Sequence, residues 1–200
     1  MLSESRLLLK LWLKNPLKIG AVAASSPELA AAMARHIPLT GEGFVVELGG
    51  GTGPVTRAIL DTGVPRDRLV VVERDLTLHR HLTERYPGVR ILQGDAMHLQ
   101  QLLRREGVAP VKAIVSSLPL LSMKKAIQHR IGAQVFAVLE PDAPMIQFTY
   151  GLFSPLKNRQ RLGVSGAVQD RVLQNLPPAS VWLYRKGQGR KGQHDHARAA

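Results

Sequence analysis

Short apolar runs rich in valine and isoleucine recur along the chain, and most are followed by a segment of helical periodicity. The first run, FVVEL, leads directly into glycines and is typical of a buried parallel strand that ends in a tight loop. The pattern predicts strands within residues 43–48, 68–75, 89–96, 111–119 and 143–151, and helices over residues 54–62, 76–86, 99–107 and about 122–139. Strands that alternate with helices require right-handed crossovers, so we expect a doubly wound parallel α/β sheet with helices on both faces.

Two segments extend this alternating core. Upstream, Ser25 or Ser26 is placed to cap a helix with Pro27 in its first turn, Glu28 in position for a capping box, and an end near His36. Downstream, residues 167–175 and 179–186 have the pattern of two more strands, and the prolines between them favour a terminal hairpin. We therefore expect one domain over residues 21–186, followed by a basic tail over residues 187–200 that is predicted to be disordered.

The first twenty residues, by contrast, are leucine-rich and basic. On a helix, Ser3, Arg6, Lys10 and Lys14 fall within about 80° of one another, and leucines cover most of the remaining circumference. Such a helix is about 20 Å long, too short for a bilayer core of ~30 Å but suited to its interface. The alternative is that its leucines pack on the domain core. The membrane hypothesis predicts that residues 1–20 bind the surface through Arg6, Leu9, Lys10, Trp12, Leu13 and Lys14.

Composition and charge narrow the class of protein. The absence of cysteine excludes disulfides and thiolate metal sites. The net charge of +12 is concentrated at the ends, with four basic and one acidic residue in positions 1–20, and nine basic and two acidic residues in positions 151–200. Cationic ends predict attraction to nucleic acid or to an anionic lipid surface, and charge alone does not choose between them. Because no apolar run of about 18 residues and no signal-peptide cleavage pattern is present, we expect a cytosolic protein.

The glycines after the first predicted strand mark a ligand-binding loop. Gly49, Gly51 and Gly53 are spaced GxGxG, not the GxGxxG of dinucleotide sites, and a helix N-terminus with free N–H groups follows them. Two residues before the first glycine, Glu47 carries a carboxylate that suits a cationic ligand group better than a pyrophosphate. Glu73 ends the second predicted strand, where a carboxylate accepts hydrogen bonds from ribose hydroxyls, and Asp95 ends the third.

Four stretches in this order, VVELGGGTG, VVVERD, LQGDA and IVSSLP, resemble the Rossmann-like class I S-adenosylmethionine-dependent methyltransferases. The resemblance implies a mixed seven-stranded sheet of order 3-2-1-4-5-7-6 with strand seven antiparallel. It implies S-adenosylmethionine as cofactor and S-adenosylhomocysteine as product, with the glycines at the methionine part, Asp95 and Ala96 at the adenine, and Ser116 at the sulfonium. The implied cofactor-binding set is Glu47, Gly49, Gly51, Gly53, Glu73, Arg74, Asp95, Ala96 and Ser116.

A narrower resemblance extends to about Lys186. The stretches LWLKNPLKIGAVAASSPELAAAMA, SSLPLLS, IQFTYGLFSP and NLPPASVWLYR are similar to the bacterial phospholipid N-methyltransferases. This implies stepwise N-methylation of phosphatidylethanolamine, and of its mono- and dimethylated forms, towards phosphatidylcholine. The expected partners are an anionic phospholipid membrane surface and a phospholipid substrate, with no nucleic acid and no metal. The expected location is cytoplasmic, peripheral on the inner face of the cytoplasmic membrane.

Methyl transfer requires an unprotonated amine in line with the methyl group, and the protein mainly has to position the two. No histidine or lysine is evident at the tip of strand four, so we expect Ser116, Ser117 and carbonyls near Leu118 to orient the amine. Water or the lipid phosphate would then take the proton. Tyr150 is expected to contact the amine or the phosphate and to hold the methylated cation by a cation–π interaction. Lys157 and Arg159, which follow an apolar loop, are expected to bind the lipid phosphate.

Two alternatives stay open. A ribosomal RNA adenine N6-dimethyltransferase shares the core, but such enzymes have an Asn-Leu-Pro-Tyr-like corner whose aromatic ring stacks on the flipped base. Here Ser117, Leu118, Pro119 and Leu120 occupy that corner. The second alternative is a noncatalytic membrane-binding protein that keeps a nucleoside pocket, against which the intact Glu47, glycines, Glu73 and Asp95 argue.

Overall fold

A computed structural model describes residues 26–150, 153–157, 159–175 and 177–187. The predicted membrane-binding helix, with Arg6, Leu9, Lys10, Trp12, Leu13 and Lys14, lies outside the described residues. So does the predicted disordered tail from residue 188 onwards. Within the described part, no helix is both long enough and apolar enough to cross a bilayer.

Seven strands form one mixed sheet of order β3-β2-β1-β4-β5-β7-β6, as predicted. Strands β1 to β5 are parallel, and β7 runs antiparallel between β5 and β6. The strands are β1 (Phe44–Leu48), β2 (Leu69–Glu73), β3 (Arg90–Gln93), β4 (Val111–Ser116), β5 (Met145–Tyr150), β6 (Val164–Val172) and β7 (Ala179–Lys186).

Helices cover both faces of this sheet because successive strand residues point to opposite sides. One face packs on α1 (Pro27–Ala34), α2 (Pro54–Asp61) and α3 (Leu76–Arg85) through strand residues such as Val45 and Val71. The other face packs on α4 (Leu99–Arg105) and α5 (Lys125–Val138) through strand residues such as Val46 and Ile114. The described part also has single 3-10 turns at Arg66–Arg68, Ala96–His98, Leu120–Ser122 and Arg159–Leu162.

The structure corrects three local details. Ser26 is the N-cap of α1, and its hydroxyl accepts the N–H of Leu29 at 3.2 Å. Glu28 is therefore the second helical residue instead of the third, so the predicted capping box is wrong. The helix predicted from about residue 122 begins at Lys125, since Leu120–Ser122 forms a separate 3-10 turn. Strand β6 begins at Val164, earlier than predicted, because it pairs along the whole of β7.

The parallel strands bring their carboxyl ends to one edge of the sheet, which we call the carboxyl edge. Leu48 and Ser116, which end β1 and β4, are level there because they pair with each other. Ser116 also pairs with Gln147, so β5 continues three residues beyond that level, to Tyr150. Tyr150 pairs with Ala179, and Ala179 with Val172, so the loop between β6 and β7 reaches the same edge. Ligands of open α/β sheets bind outside this edge.

Candidate active site at the carboxyl edge

The loop after β1 has a backbone that favours glycine. Gly49 and Gly53 have φ angles of +77° and +94°, a region that other residues adopt at a cost. A Cβ atom on Gly53 would lie 2.6 Å from the Tyr86 ring, whose hydroxyl donates to the Gly53 carbonyl at 2.6 Å. Pro54 then opens α2 with its φ already set for a helix. The loop is thus held against the body of the domain and presents its backbone to the carboxyl edge.

Glu47 lies fully buried beneath this loop. Its Oε2 accepts the Thr56 hydroxyl at 2.6 Å, whereas its Oε1 is buried and has no hydrogen-bond partner in the described part of the chain. Burial raises the pKa of the Glu47 carboxyl to about 7. Hydrogen bonds from Thr56 lower this pKa, and the negative charge of Glu73 raises it further. A buried acceptor with no partner is costly, so the site favours a donor or a cationic ligand group at Oε1.

The acids that end β2 and β3 are also placed by backbone hydrogen bonds. Glu73 accepts the Gly51 N–H at 3.0 Å through one oxygen and the Asp75 N–H at 2.9 Å through the other. Asp95 accepts the Met97 N–H at 2.8 Å, and Ala96 beside it is buried. Arg74 points outward, with its side chain 81% exposed and a guanidinium nitrogen 3.8 Å from an Asp95 oxygen.

A cavity of about 450 Å³ opens at this edge, within the range of small-molecule sites. Its polar end is formed by Gly49, Gly51 and Glu73. Leu78, Pro155, residues 117–122 and residues 148–150 form the remaining wall, which is mainly apolar. Of the predicted site residues, the structure therefore brings Gly49, Gly51, Glu73, Ser117, Leu118 and Tyr150 to one cavity.

The two serines at the end of β4 have different positions. Ser116 is fully buried, and its hydroxyl accepts the Leu118 N–H at 3.4 Å. Ser117 lines the cavity, and its buried hydroxyl oxygen has no hydrogen-bond partner within the described residues. The geometry therefore favours Ser117 over Ser116 as the serine that meets a substrate, although both roles stay predictions.

Sequence reasoning missed Gln147, which is fully buried in the middle of β5. Its amide nitrogen donates to the carbonyls of Leu118 at 3.0 Å and Phe148 at 2.8 Å. The Leu118 carbonyl also accepts the Leu120 N–H at 2.8 Å, so it is already doubly engaged, and the expectation that it orients the amine loses support. The only signal in the sequence is one amide within the apolar run MIQF.

Tyr150 ends β5 at the wall of the cavity, with its ring edge-on to Phe148 at 5.2 Å between centroids. Burial raises the pKa of the Tyr150 hydroxyl, and a side-chain hydrogen bond with Asn175 opposes the rise. Asn175 is itself 4% exposed, accepts the Ser26 N–H at 3.2 Å and donates to the Pro177 carbonyl at 2.7 Å. Tyr150 is therefore a neutral hydroxyl held by the loop between β6 and β7.

The segment after β5 differs in part from the expectation. Phe153 is 71% exposed, but Leu156 is buried in the core instead of lining an apolar lip. The side chain of Gln128 bridges the Leu120 carbonyl and the Lys157 N–H, both at 3.0 Å, and so joins two walls of the cavity. Lys157 and Arg159 do not belong to the cavity lining. Their predicted contact with a lipid phosphate would therefore lie outside the cavity.

The residues present fit S-adenosylmethionine, which carries cationic groups and ribose hydroxyls. Glu73 offers a carboxylate to ribose hydroxyls at the polar end of the cavity. Glu47 does not line the cavity, and its partnerless Oε1, buried beneath the glycine loop, suits a cationic group. Among the described residues there is no group of three or more side chains that would hold a metal ion.

Sequence comparison finds methyltransferases among the known proteins that are similar to this chain. No protein-family model matches the chain. The ornithine lipid N-methyltransferase of Singulisphaera acidiphila is 34% identical over 177 residues, which cover 86% of this chain and 91% of that protein. The ribosomal RNA small subunit methyltransferase A of Paramagnetospirillum magneticum is 36% identical over 81 residues, 38% of this chain and 27% of that protein.

Among solved structures, the O-methyltransferase from Bacillus cereus in complex with S-adenosylhomocysteine has the same fold. Its TM-score is 0.63 at 13% identity, over 92% of this chain and 90% of that chain. The expected sheet order and the expected cofactor class are thereby confirmed. The chain belongs to the class I S-adenosylmethionine-dependent methyltransferases, in the lipid N-methyltransferase family to which the ornithine lipid enzyme is assigned.

Proposed function

We propose that this protein methylates the primary amine of phosphatidylethanolamine and continues stepwise towards phosphatidylcholine, at the cytosolic surface of a membrane. The observation that supports it is the wall of the cavity beyond the cofactor end. Leu118, Leu120, Leu121, Phe148 and Pro155 make that wall apolar, and its hydroxyl-bearing residues are Ser117, Ser122, Thr149 and Tyr150. An amine attached to an acyl lipid matches such a wall, whereas a free charged metabolite would need paired charges there.

S-adenosylmethionine, when bound, supplies a methyl group on a sulfonium leaving group. The task of the chain is to hold the amine nitrogen in line with that methyl group at about 3 Å and to keep water away. The Ser117 hydroxyl is a hydrogen-bond partner for the amine, since it has no other partner in the described part of the chain. Because an ammonium has no lone pair, its proton leaves before attack, and we assign water or the lipid phosphate as acceptor.

Tyr150 is proposed to contact the headgroup from the end of β5, the strand next to β4. Its raised pKa keeps the hydroxyl neutral at physiological pH, so it donates a hydrogen bond to a phosphate oxygen or accepts one from the amine. As methyl groups accumulate, the ring face attracts the methylated cation. Ser116, Arg74, Lys157 and Arg159 keep their predicted roles as proposals, although none of them belongs to the cavity lining.

Ornithine lipid is the second candidate substrate. The relative that matches most of this chain is named for that lipid. Ornithine lipid and phosphatidylethanolamine both present an amine beside acyl chains, so the apolar wall fits either. Only phosphatidylethanolamine of the two carries a phosphate. The exposed cation Arg171, next to the end of β6 at the carboxyl edge, favours the phosphate-bearing lipid.

The ribosomal RNA alternative has less support. The similarity to the RNA methyltransferase covers 38% of this chain. The corner after β4 presents Leu118 and Leu120 where that reaction uses a stacking aromatic residue, and a leucine wall does not stack on a flipped base.

The test is transfer of label from S-adenosylmethionine with a labelled methyl group. The full chain is incubated with anionic vesicles that contain phosphatidylethanolamine, with vesicles that contain ornithine lipid, or with total RNA. We expect label in phosphatidylethanolamine and its methylated products. Label in ornithine lipid alone would move the substrate to the second candidate, and label in RNA alone would overturn the lipid assignment. The catalytic assignment is checked separately by the variants in the Discussion.

A further inference from the structure

Four large apolar side chains are strongly exposed within the described residues, and they are not spread evenly over the surface. Leu39 lies before β1 at the amino edge of the sheet. The other three are at the carboxyl edge, where the cavity opens: Leu76 begins α3 directly after β2, Phe153 lies between the cavity residues Tyr150 and Pro155, and Leu173 directly follows β6. Exposed apolar groups that collect around one opening indicate an interaction surface.

Leu173 has no role in the site described above. It is 77% exposed, more than any other large apolar residue among the four. The loop that carries it is anchored two residues later, because Asn175 is buried and its side chain bonds both to the Ser26 N–H and to the Pro177 carbonyl. The exposure of Leu173 is therefore a property of an anchored loop.

The point at which residues 1–25 join the described domain indicates what faces this loop. Asn175 bonds to Ser26, so residues 1–25 join the described domain beside the β6–β7 loop. Six residue steps separate Gly20 from Ser26, so the end of the predicted membrane-binding segment lies within about 20 Å of this point in any conformation. A membrane that holds that segment is thus close to Leu173 as well.

A charge at the end of β6, next to this loop, agrees with a lipid surface. Arg171, two residues before Leu173, is exposed and forms no ion pair within the described residues. An exposed leucine next to an unpaired cation is the combination that partitions into the interface of an anionic bilayer, where the apolar group enters the acyl boundary and the cation stays among the phosphates.

We propose that the β6–β7 loop is a second membrane contact, built into the folded domain, which inserts Leu173 next to the mouth of the cavity. This inference rests on the proposed lipid function and adds a contact that does not depend on residues 1–20. With Tyr150 held by Asn175 of the same loop, the contact would set the acceptor side of the cavity at the level of the lipid headgroups.

The test uses the absence of cysteine from the chain. Leu173→Cys and, as a matched control at the opposite edge, Leu39→Cys each introduce a single thiol, which is labelled with an environment-sensitive fluorophore in the full chain. The labelled proteins are mixed with vesicles of phosphatidylethanolamine and phosphatidylglycerol. We expect a blue shift of emission for the label at position 173 and none for the label at position 39, while both proteins sediment with the vesicles.

Unlabelled variants provide a second measurement. Leu173→Ser is expected to weaken vesicle binding about five- to tenfold, because a leucine at the bilayer interface contributes roughly half of what a fully buried leucine does. Leu39→Ser is expected to leave vesicle binding unchanged. A label at position 173 that stays in water while the protein sediments overturns the inference and leaves the proposed function intact. If the label at position 173 enters the lipid but no lipid is methylated, the membrane contact stands and the proposed function is overturned. A full chain that does not sediment with the vesicles overturns both proposals.

Discussion

The Glu73 carboxylate accepts the N–H of Gly51 at 3.0 Å, which ties the tip of β2 to the glycine loop after β1. One side chain thus shapes the loop and also lines the polar end of the cavity. Glu73 is therefore expected to affect cofactor binding in two ways: it fixes the geometry of the glycine loop, and it contacts the ribose.

Replacing this carboxylate is expected to weaken cofactor binding. Glu73→Gln turns one acceptor oxygen into a donor that faces a backbone N–H, and hydrogen bonds to a charged group are worth about 1.5–3 kcal/mol. We expect roughly 10- to 100-fold weaker binding of S-adenosylhomocysteine by calorimetry. Glu84→Gln on the exposed part of α3 is the control and should bind normally. Equal affinities for the two variants would remove Glu73 from the cofactor site.

Substitutions of two glycines in the loop are predicted to have different effects. Gly51 has a φ of +57° and lines the cavity, and a Cβ atom there would meet no protein atom within 4 Å. Gly51→Ala is expected to fold with a loss of about 1 kcal/mol but to bind cofactor poorly. Gly53→Ala places a methyl group 2.6 Å from Tyr86 and should be destabilised more strongly. Thermal unfolding and calorimetry separate the two effects, and a Gly51→Ala variant with normal affinity would contradict the prediction.

The buried carboxyl of Glu47 predicts a pH dependence of stability. Its pKa rises from 4.5 to about 7 on folding. Between these values the folded chain keeps a proton that the unfolded chain has lost, so the free energy of unfolding falls as pH rises from 4.5 to 7, by about 3 kcal/mol from this group. Urea unfolding of the unliganded protein across pH 5 to 8 measures it. Glu47→Gln should lack this slope, and parallel curves for the two proteins would contradict the assignment.

The two serines after β4 form a matched pair of substitutions. Ser117 lines the cavity with a partnerless hydroxyl, and the Ser116 hydroxyl is already bonded to the Leu118 N–H. We expect Ser117→Ala to lower kcat about tenfold with unchanged cofactor affinity, because a hydrogen bond to the amine is lost. Ser116→Ala should lower stability more than turnover. A larger loss of turnover in Ser116→Ala than in Ser117→Ala would assign the catalytic role to Ser116.

Removal of the Tyr150 hydroxyl tests the proposed contact between Tyr150 and the headgroup. Tyr150→Phe keeps the ring and its edge-on contact with Phe148 but loses the hydrogen bond with Asn175. Turnover of phosphatidylethanolamine is expected to fall about tenfold, while binding of the cofactor product stays the same. Normal turnover would remove the hydroxyl from the mechanism.

The sequence by itself determined the architecture, and it predicted residues for the cofactor end of the site. The alternation of apolar runs with helical segments predicted the doubly wound sheet. The glycine spacing, Glu47, Glu73 and Asp95 were predicted because each lies close to the carboxyl end of a strand. Glu47 is the residue before the last of β1, Glu73 ends β2 and Asp95 comes two residues after β3, so one-dimensional order is enough to place them near one edge.

Only the tertiary structure decided the acceptor end. Ser117 lines the cavity and Ser116, the last residue of β4, does not, and this difference follows from packing of the whole sheet. Gln147, Gln128 and Asn175 gain their roles from hydrogen bonds to residues 29 or more positions away: Leu118, Lys157 and Ser26. No local pattern marks such contacts, because a buried amide is stabilised by whichever backbone groups the fold brings to it.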